Sequence, residues 1–312
     1  MSVRGAQLVK LLAPWHWHIW MLFGCSWFVA RLPLKAQYWL GRSVARLFFK
    51  LVPRRERIIR KNVELAFPDL DNSQRESLVN ETIGSLGMTM VETLFVWMRG
   101  IDPLLDRVNI NGIEHLQTAT DEETSGIVIL GAHFSSLDLV AAALSKKCRF
   151  AATYRKARNP VIDFVCHGAR QRYYDEMFEA TNLRTLAQSL RNGKIVWFAS
   201  DQDMGTRKST CFVPFFGIDA STVVTPFRLA RKTGSRVLFM SHKRNADDLS
   251  WELSLTPVNL ADATEPGCYR QDAMKVNELI ESFVRSAPEQ YFWVHRRFKS
   301  MANGSRRDYQ TP

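Results

Sequence analysis

Ile127-Val128-Ile129-Leu130-Gly131-Ala132-His133-Phe134-Ser135-Ser136-Leu137-Asp138 is the stretch that decides how this chain folds. Four aliphatic residues in a row, with no polar alternation, fit a strand covered on both faces, as in parallel sheets flanked by helices. Gly131 and Ala132 end the run, and Leu137 to Leu144 has the makings of the next helix. Strand, tight turn and helix in that order put His133 at the carboxyl end of a buried strand. Open α/β sheets bind their ligands there.

The same alternation continues downstream. Arg149 to Tyr154 reads as a strand, and Asn159-Pro160 opens a helix. Leu183 to Arg191 is helical and stops at Gly193; Ile195 to Ala199 is another apolar strand, ending in Asp201-Gln202-Asp203. Val237 to Met240 and Trp251 to Leu255 read as strands, and Gln271 to Arg285 as a helix. Upstream, Ser73-Gln74-Arg75-Glu76 has the form of a capping box. The helix it opens is apolar at Leu78, Ile83, Leu86, Met90, Leu94 and Trp97. The expectation is an α/β fold with a central, mostly parallel sheet flanked by helices. Residues 62–312 would form one domain on the cytoplasmic side of a membrane, for reasons that lie in the first 61 residues.

Residues 1–61 hold 12 Lys or Arg and one acid, Glu56, so they carry the whole formal net charge of +11; residues 62–312 balance 30 basic against 30 acidic side chains. A nucleic-acid binder spreads its basic footprint over a folded domain, so that class is set aside. Here the excess lies beside twenty residues, Leu11 to Ala30, that lack any Lys, Arg, Asp or Glu. About twenty apolar residues suffice to cross a bilayer core. A membrane helix over about 15–34 is therefore expected, with the cationic stretch beyond it on anionic headgroups and the positive side in the cytoplasm. A helix lying in the interface is the open alternative. No small-x-small cleavage site follows, which argues against a signal peptide. Five scattered cysteines, without a C-x-x-C, read as reduced thiols buried as small hydrophobes.

Imidazole is the one side chain that titrates near neutrality unperturbed, so His133 can take a proton from a hydroxyl and return it. Asp138, five residues on and across the turn, could fold back to fix its tautomer. By spacing alone, a satisfied structural histidine stays equally open. Arg155 ends an apolar strand, where a guanidinium wants an anion or an ion-pair partner. Asp201 and Asp203 share a strand-end loop, as site acids or as helix caps. Arg228 could meet an acidic headgroup or sit on a solvated face. Phe212, Phe215 and Phe216 could line an acyl groove, with core packing the plainer reading. His295-Arg296-Arg297 has no assignable role. No His/Glu spacing suits a metal, and no cofactor is called for.

The chain also resembles the lipid A biosynthesis lauroyl/myristoyl acyltransferase family. The resemblance rests on His133-x4-Asp138, Arg60-Lys61-Asn62-Val63-Glu64-Leu65-Ala66-Phe67-Pro68, Ser85-Leu86-Gly87-Met88 with Val91-Glu92-Thr93, and Thr153-Tyr154-Arg155 with Asn159. Val196 to Asp203, Phe212 to Gly217 and Ala287 to Lys299 extend it in the family's order, from about residue 15 to 300. One departure is that the acid of the pair, Glu in several members, is Asp138 here. The resemblance implies transfer of a fatty acyl chain from acyl-acyl carrier protein to the hydroxyl of a hydroxyacyl chain on a Kdo-bearing lipid A precursor, at the bacterial inner membrane. His133 would be the general base, Asp138 its orienting acid, and Arg155, Asp201, Asp203 and Arg228 substrate-binding residues. Two readings compete with it. One is an acyltransferase for another membrane lipid, such as a lysophospholipid or an acylated mannolipid; the other is an inactive protein that binds lipid or carrier protein.

Overall fold

The computed structural model describes residues 11–117, 126–154, 156–179 and 182–310. Four helices come first: α1 (Trp17–Val29), α2 (Leu34–Leu51), α3 (Pro53–Ala66) and the 28-residue α4 (Asn72–Arg99). Then follow β1 (Val108–Asn111), the short α5 (Glu114–Gln117), β2 (Ile127–Gly131), α6 (Leu137–Leu144), β3 (Phe150–Tyr154), α7 (Pro160–Arg170), β4 (Tyr174–Glu179) and α8 (Leu183–Arg191). The chain continues with β5 (Ile195–Ala199), the hairpin β6 (Thr210–Phe215) and β7 (Ile218–Val223), α9 (Thr225–Thr233), β8 (Arg236–Asn245), β9 (Ser250–Pro257) and α10 (Cys268–Ser286).

Seven strands make one sheet in the order β1-β9-β8-β2-β5-β3-β4, parallel in every pairing except β8 with β9. The expected mostly parallel α/β sheet is therefore what forms, with β2 at its middle. Every residue of β2 is buried. Its side chains alternate between two cores: Val128 and Leu130 join Val196, Phe198, Val237 and Phe239 on one face. Ile127 and Ile129 join Trp197, Leu238 and Met240 on the other. That is the period of two required of a strand covered on both sides. The β6–β7 hairpin, unforeseen from the sequence, turns at Phe216-Gly217, both at positive φ. A two-residue turn of that kind suits strand twist, and glycine carries half of it without strain.

The capping box lies two residues earlier than expected. Asp71 accepts from the Gln74 backbone N–H at 2.9 Å, and Gln74 Oε1 accepts from the Asp71 N–H at 2.9 Å. The expected apolar stripe is also only partly inward: Leu78 and Ile83 are buried, but Met90 is 42% exposed, and Val91 and Phe95 fill the core instead. Helices α2 and α4 cross at two glycines. A Cβ on Gly87 would stand 2.2 Å from the Gly41 carbonyl oxygen, and one on Gly41 2.5 Å from that of Gly87. Only backbone fits in that crossing.

The expected membrane-crossing helix over 15–34 is not found. Among the described residues no helix is long and apolar enough to cross a membrane. The apolar run is broken at Pro14 and again by the turn at Leu32-Pro33, leaving α1 with 13 residues, about 20 Å of helix against a core of about 30 Å. Instead, α1 exposes Trp17, Met21, Leu22, Trp27 and Phe28. In α2 one stripe, Tyr38, Gly41, Ala45 and Phe49, is buried against the body. A second stripe at helical spacing, Val44, Leu47, Phe48 and Leu51, is exposed. The boundary drawn at residue 61 falls inside α3. That helix is tied to the body by Asn62, which donates to the carbonyls of Trp293 (2.6 Å) and His295 (2.7 Å).

Candidate active site

Strand register assembles the centre. β2 and β5 pair as neighbours, ending at Gly131 opposite Ala199. His133 and Asp201 each lie two residues past that last couple, so the sheet delivers them side by side at its carboxyl edge. The Asp201 carboxylate meets His133 twice: Oδ2 accepts the His133 backbone N–H at 2.9 Å, and Oδ1 lies 2.8 Å from Nδ1. With Nδ1–H donated to the carboxylate, Nε2 carries the lone pair. The Gln202 amide nitrogen sits 3.1 Å from that Nε2 and donates to it. Burial alone would depress the His133 pKa, but the Asp201 charge and hydrogen bond outweigh it, and the imidazole is held above its ordinary 6.5. Burial would raise Asp201; the His133 charge and its two hydrogen bonds reverse this and hold the carboxyl far below the usual range. The His133 side chain retains 29% exposure, so part of the ring is open to the outside.

The turn after His133 is held from below. Ser136 adopts a left-handed conformation, φ 68°, to start α6. Its hydroxyl donates to Glu92 Oε2 at 2.6 Å, and the Ser135 hydroxyl meets that of Ser85 at 2.8 Å. Glu92 is buried in α4 and paired with the equally buried Arg244 of β8, Nη1 3.1 Å from both carboxylate oxygens. Tyr38 of α2 and Trp251 of β9 donate to the same carboxylate at 2.5 and 3.2 Å. Isolated buried charges are costly; here each has several partners. From the far end of the chain, the Phe292 N–H donates to the His133 carbonyl at 2.9 Å, and the Ser135 N–H to the Gln290 carbonyl at 2.7 Å.

The expectation that Asp138 turns the His133 ring is corrected by this geometry. Asp138 lies in the first turn of α6, and both its oxygens are taken by Arg170 of α7, Nε and Nη2 each at 2.9 Å. The Tyr173 hydroxyl also donates to Oδ1 at 2.8 Å. A bidentate guanidinium with a phenol leaves the carboxylate no reason to swing back to the imidazole. Asp201 has that place. Tyr173, Gln202, Glu92 and Arg244 were not foreseen as site residues, although an acid and an arginine inside apolar helix and strand faces were the available signal.

The other candidates separate. Asp203 caps the chain's last turns, accepting from the Ser300 N–H (2.6 Å), the Ser300 hydroxyl (2.8 Å) and the Gly205 N–H (2.9 Å). Arg155 lies outside the described residues. Arg228 stacks over Tyr269 and lines a separate cleft with Arg184, Arg191 and Lys232. Arg297 is fully buried and donates to the Ser221 carbonyl at 2.6 Å and the Thr222 hydroxyl at 3.1 Å, beneath the Phe215 ring. Phe215 and Phe216 pack with Phe67, Tyr291, Trp293 and Phe298 as core, while Phe212 is half-buried. Burial pushes the Cys148, Cys166 and Cys211 thiols up to about 11, away from nucleophilic use.

An imidazole with a fixed tautomer, beside a carboxylate and at a strand end, is equipped for proton transfer to and from a hydroxyl. Residues 6–300 match the bacterial lipid A biosynthesis acyltransferase family. The lipid A biosynthesis palmitoleoyltransferase of Escherichia coli (strain K12) is 33% identical over 296 residues, 95% of each chain. The lauroyltransferase of the same organism is 30% identical over 295 residues, 94% of this chain and 95% of its own. Its myristoyltransferase is 25% identical over 301 residues, 95% and 91%. Among solved structures, the 1-acyl-sn-glycerophosphate acyltransferase of Thermotoga maritima overlays on 83% of this chain and 99% of its own, with TM-score 0.38 and 18% identity. The chain belongs to the bacterial lipid A biosynthesis acyltransferases, and it is an acyltransferase.

Proposed function

We propose that the chain moves a fatty acyl group from acyl-acyl carrier protein to the free hydroxyl of a hydroxyacyl chain on a Kdo-bearing lipid A precursor. What carries this reading is the bond between His133 Nδ1 and Asp201 Oδ1, which leaves Nε2 as the basic nitrogen at the sheet's open edge. The acceptor hydroxyl displaces the Gln202 amide from Nε2 and gives up its proton there as its oxygen attacks the thioester carbonyl. The tetrahedral adduct collapses, the carbon–sulfur bond breaks, and the imidazolium returns the proton to the departing thiolate. An ester and a free thiol result, with no acyl-enzyme. Asp201 stabilises the transient cation and holds the ring. Asp138, clamped by Arg170 and Tyr173, fixes the start of α6 and so the turn that carries His133.

The enzyme works from the cytoplasmic face of the inner membrane, lying on the bilayer by the exposed apolar sides of α1 and α2. Lys35, Arg42, Arg46 and Lys50, all exposed on α2, meet anionic headgroups. The purified protein, given an acyl-carrier thioester and a Kdo-bearing lipid A precursor, should produce by mass spectrometry a product heavier by one acyl group. His133→Ala should form that product at least about a hundredfold more slowly. Acylation of a lysophospholipid with the lipid A precursor untouched would overturn the acceptor assignment.

A further inference from the structure

In the Ala287 to Lys299 stretch Arg296 has no acidic partner among the described residues, and the cleft it borders has an unusual charge. Arg54 and Arg55, in the first turn of α3, face His295, Arg296 and Lys299 across a cleft of about 430 Å³, with Ile58 in its wall. Four permanent cations and an imidazole line it, and no acid does. Their neighbours in sequence have partners elsewhere: Arg60 pairs with Glu56 and Glu76, and Arg57 donates to the Gln310 carbonyl. Among the described residues Arg54, Arg55 and Arg296 take part in no ion pair; Arg296 stacks over Tyr309, and Lys299 stands 3.8 Å from an Asp203 oxygen already bound elsewhere. Like charges crowded into a concave surface repel one another, and an entering anion relieves that repulsion.

Through His295 the cleft reaches the loop that follows Asp201. His295 accepts the Asp203 N–H at Nε2, 3.2 Å away, and lies close enough to His133 and Asp201 for their charges to act on its ring. Burial depresses its pKa, so its neutral ring keeps Nδ1–H as a donor. The segment that carries it begins on the His133 carbonyl, through the Phe292 N–H.

We propose that this cleft is an anion subsite, in which Arg54, Arg55, Arg296 and Lys299 hold an oxyanion group, phosphate or carboxylate, of the lipid acceptor beside the His133 base. The proposal rests on the acyl-transfer reading above and adds the part of the acceptor that these residues grip. Bidentate guanidinium contacts suit such groups.

Kinetics in neutral detergent micelles, where a charged bilayer plays no part, test it with Arg54→Gln/Arg55→Gln and with Arg296→Gln. Acceptor KM should rise at least tenfold in the double variant and severalfold in the single one, with kcat and donor KM within twofold of the parent. Arg54→Lys/Arg55→Lys should recover part of the loss. Inorganic phosphate should compete with the acceptor, not the thioester, and less so in the double variant. An unchanged acceptor KM overturns the proposal, as does a rise confined to the donor, which would give the cleft to the donor's phosphate. So does weaker binding to anionic vesicles with unaltered micellar kinetics. Should the parent fail to acylate a lipid A precursor at all, the acyl-transfer reading falls. The subsite then stands or falls by calorimetry, on whether inorganic pyrophosphate binds the parent and not Arg54→Gln/Arg55→Gln.

Discussion

Two carboxylates compete for one imidazole, and distance in the chain is a poor guide to which one reaches it. Asp138 is five residues from His133 and Asp201 is 68, yet parallel pairing of β2 with β5 makes the distant one the neighbour. Local spacing exposed the histidine, and its place after a buried strand was legible. Its partner depended on which strand lies next to β2, and a continuous apolar run does not encode that. The pairing has a pH signature. With neutral His133 as the proposed base, kcat/KM should rise with pH through a value above 6.5, the direction in which Asp201 moves it. Asp201→Asn removes the charge that stabilises the imidazolium, and should shift this acid limb to lower pH while lowering kcat. His133→Ala should cost about 10²–10⁴-fold in kcat/KM. Stability follows the same linkage. The raised His133 contributes below 6.5 and loses its part as pH climbs through its folded value. The depressed Asp201 contributes above 3.8 and loses its part as pH falls through its folded value. Melting temperature against pH, parent minus Asp201→Asn, should therefore peak between those two ordinary values.

Among the elements, α4 does the most to link distant parts. It carries Ser85, Gly87 and Glu92 through the region beneath the His133 turn. The residues Ser85-Leu86-Gly87-Met88 and Val91-Glu92-Thr93 stood out in the sequence without a reason; the structure supplies one for each. Gly87 is there because the backbone of α2 touches it. Gly87→Ala should destabilise the protein by about 1–3 kcal/mol through overpacking, read as a lower melting temperature. Glu92 is there because Arg244, Ser136, Tyr38 and Trp251 converge on it. Arg244→Met should cost about 3–5 kcal/mol by stranding a buried carboxylate, and adding Glu92→Gln should recover part of that. Chemical denaturation of the single and double variants measures both. The apolar stripe of α4 is rotated toward Val91 and Phe95 because Ser85 and Glu92 on the same helix turn inward to bind the site turn.

For the molecule as a whole, the segregated charge of the first 61 residues was the clearest feature of the sequence, and the helix drawn through it was the least accurate. Composition registers apolar residues; it does not register that Pro14 and Leu32-Pro33 cut the run to 13 helical positions. The proposed attachment by α1 and α2 to one leaflet predicts dependence on lipid charge. Replacing Lys35, Arg42 and Arg46 with Gln should weaken binding to anionic vesicles by roughly 10²-fold, at about 1 kcal/mol per cation, and leave binding to neutral vesicles nearly unchanged. Flotation assays distinguish the two. The closing segment has a consequence in time as well as in space. His133 and Ser135 lean on the backbone of residues 290–292, Asn62 on residues 293 and 295, and Asp203 on Ser300. A nascent chain whose synthesis has reached only the middle of the message therefore has a histidine turn without its full set of supports. Those contacts can all form only once residue 300 has emerged.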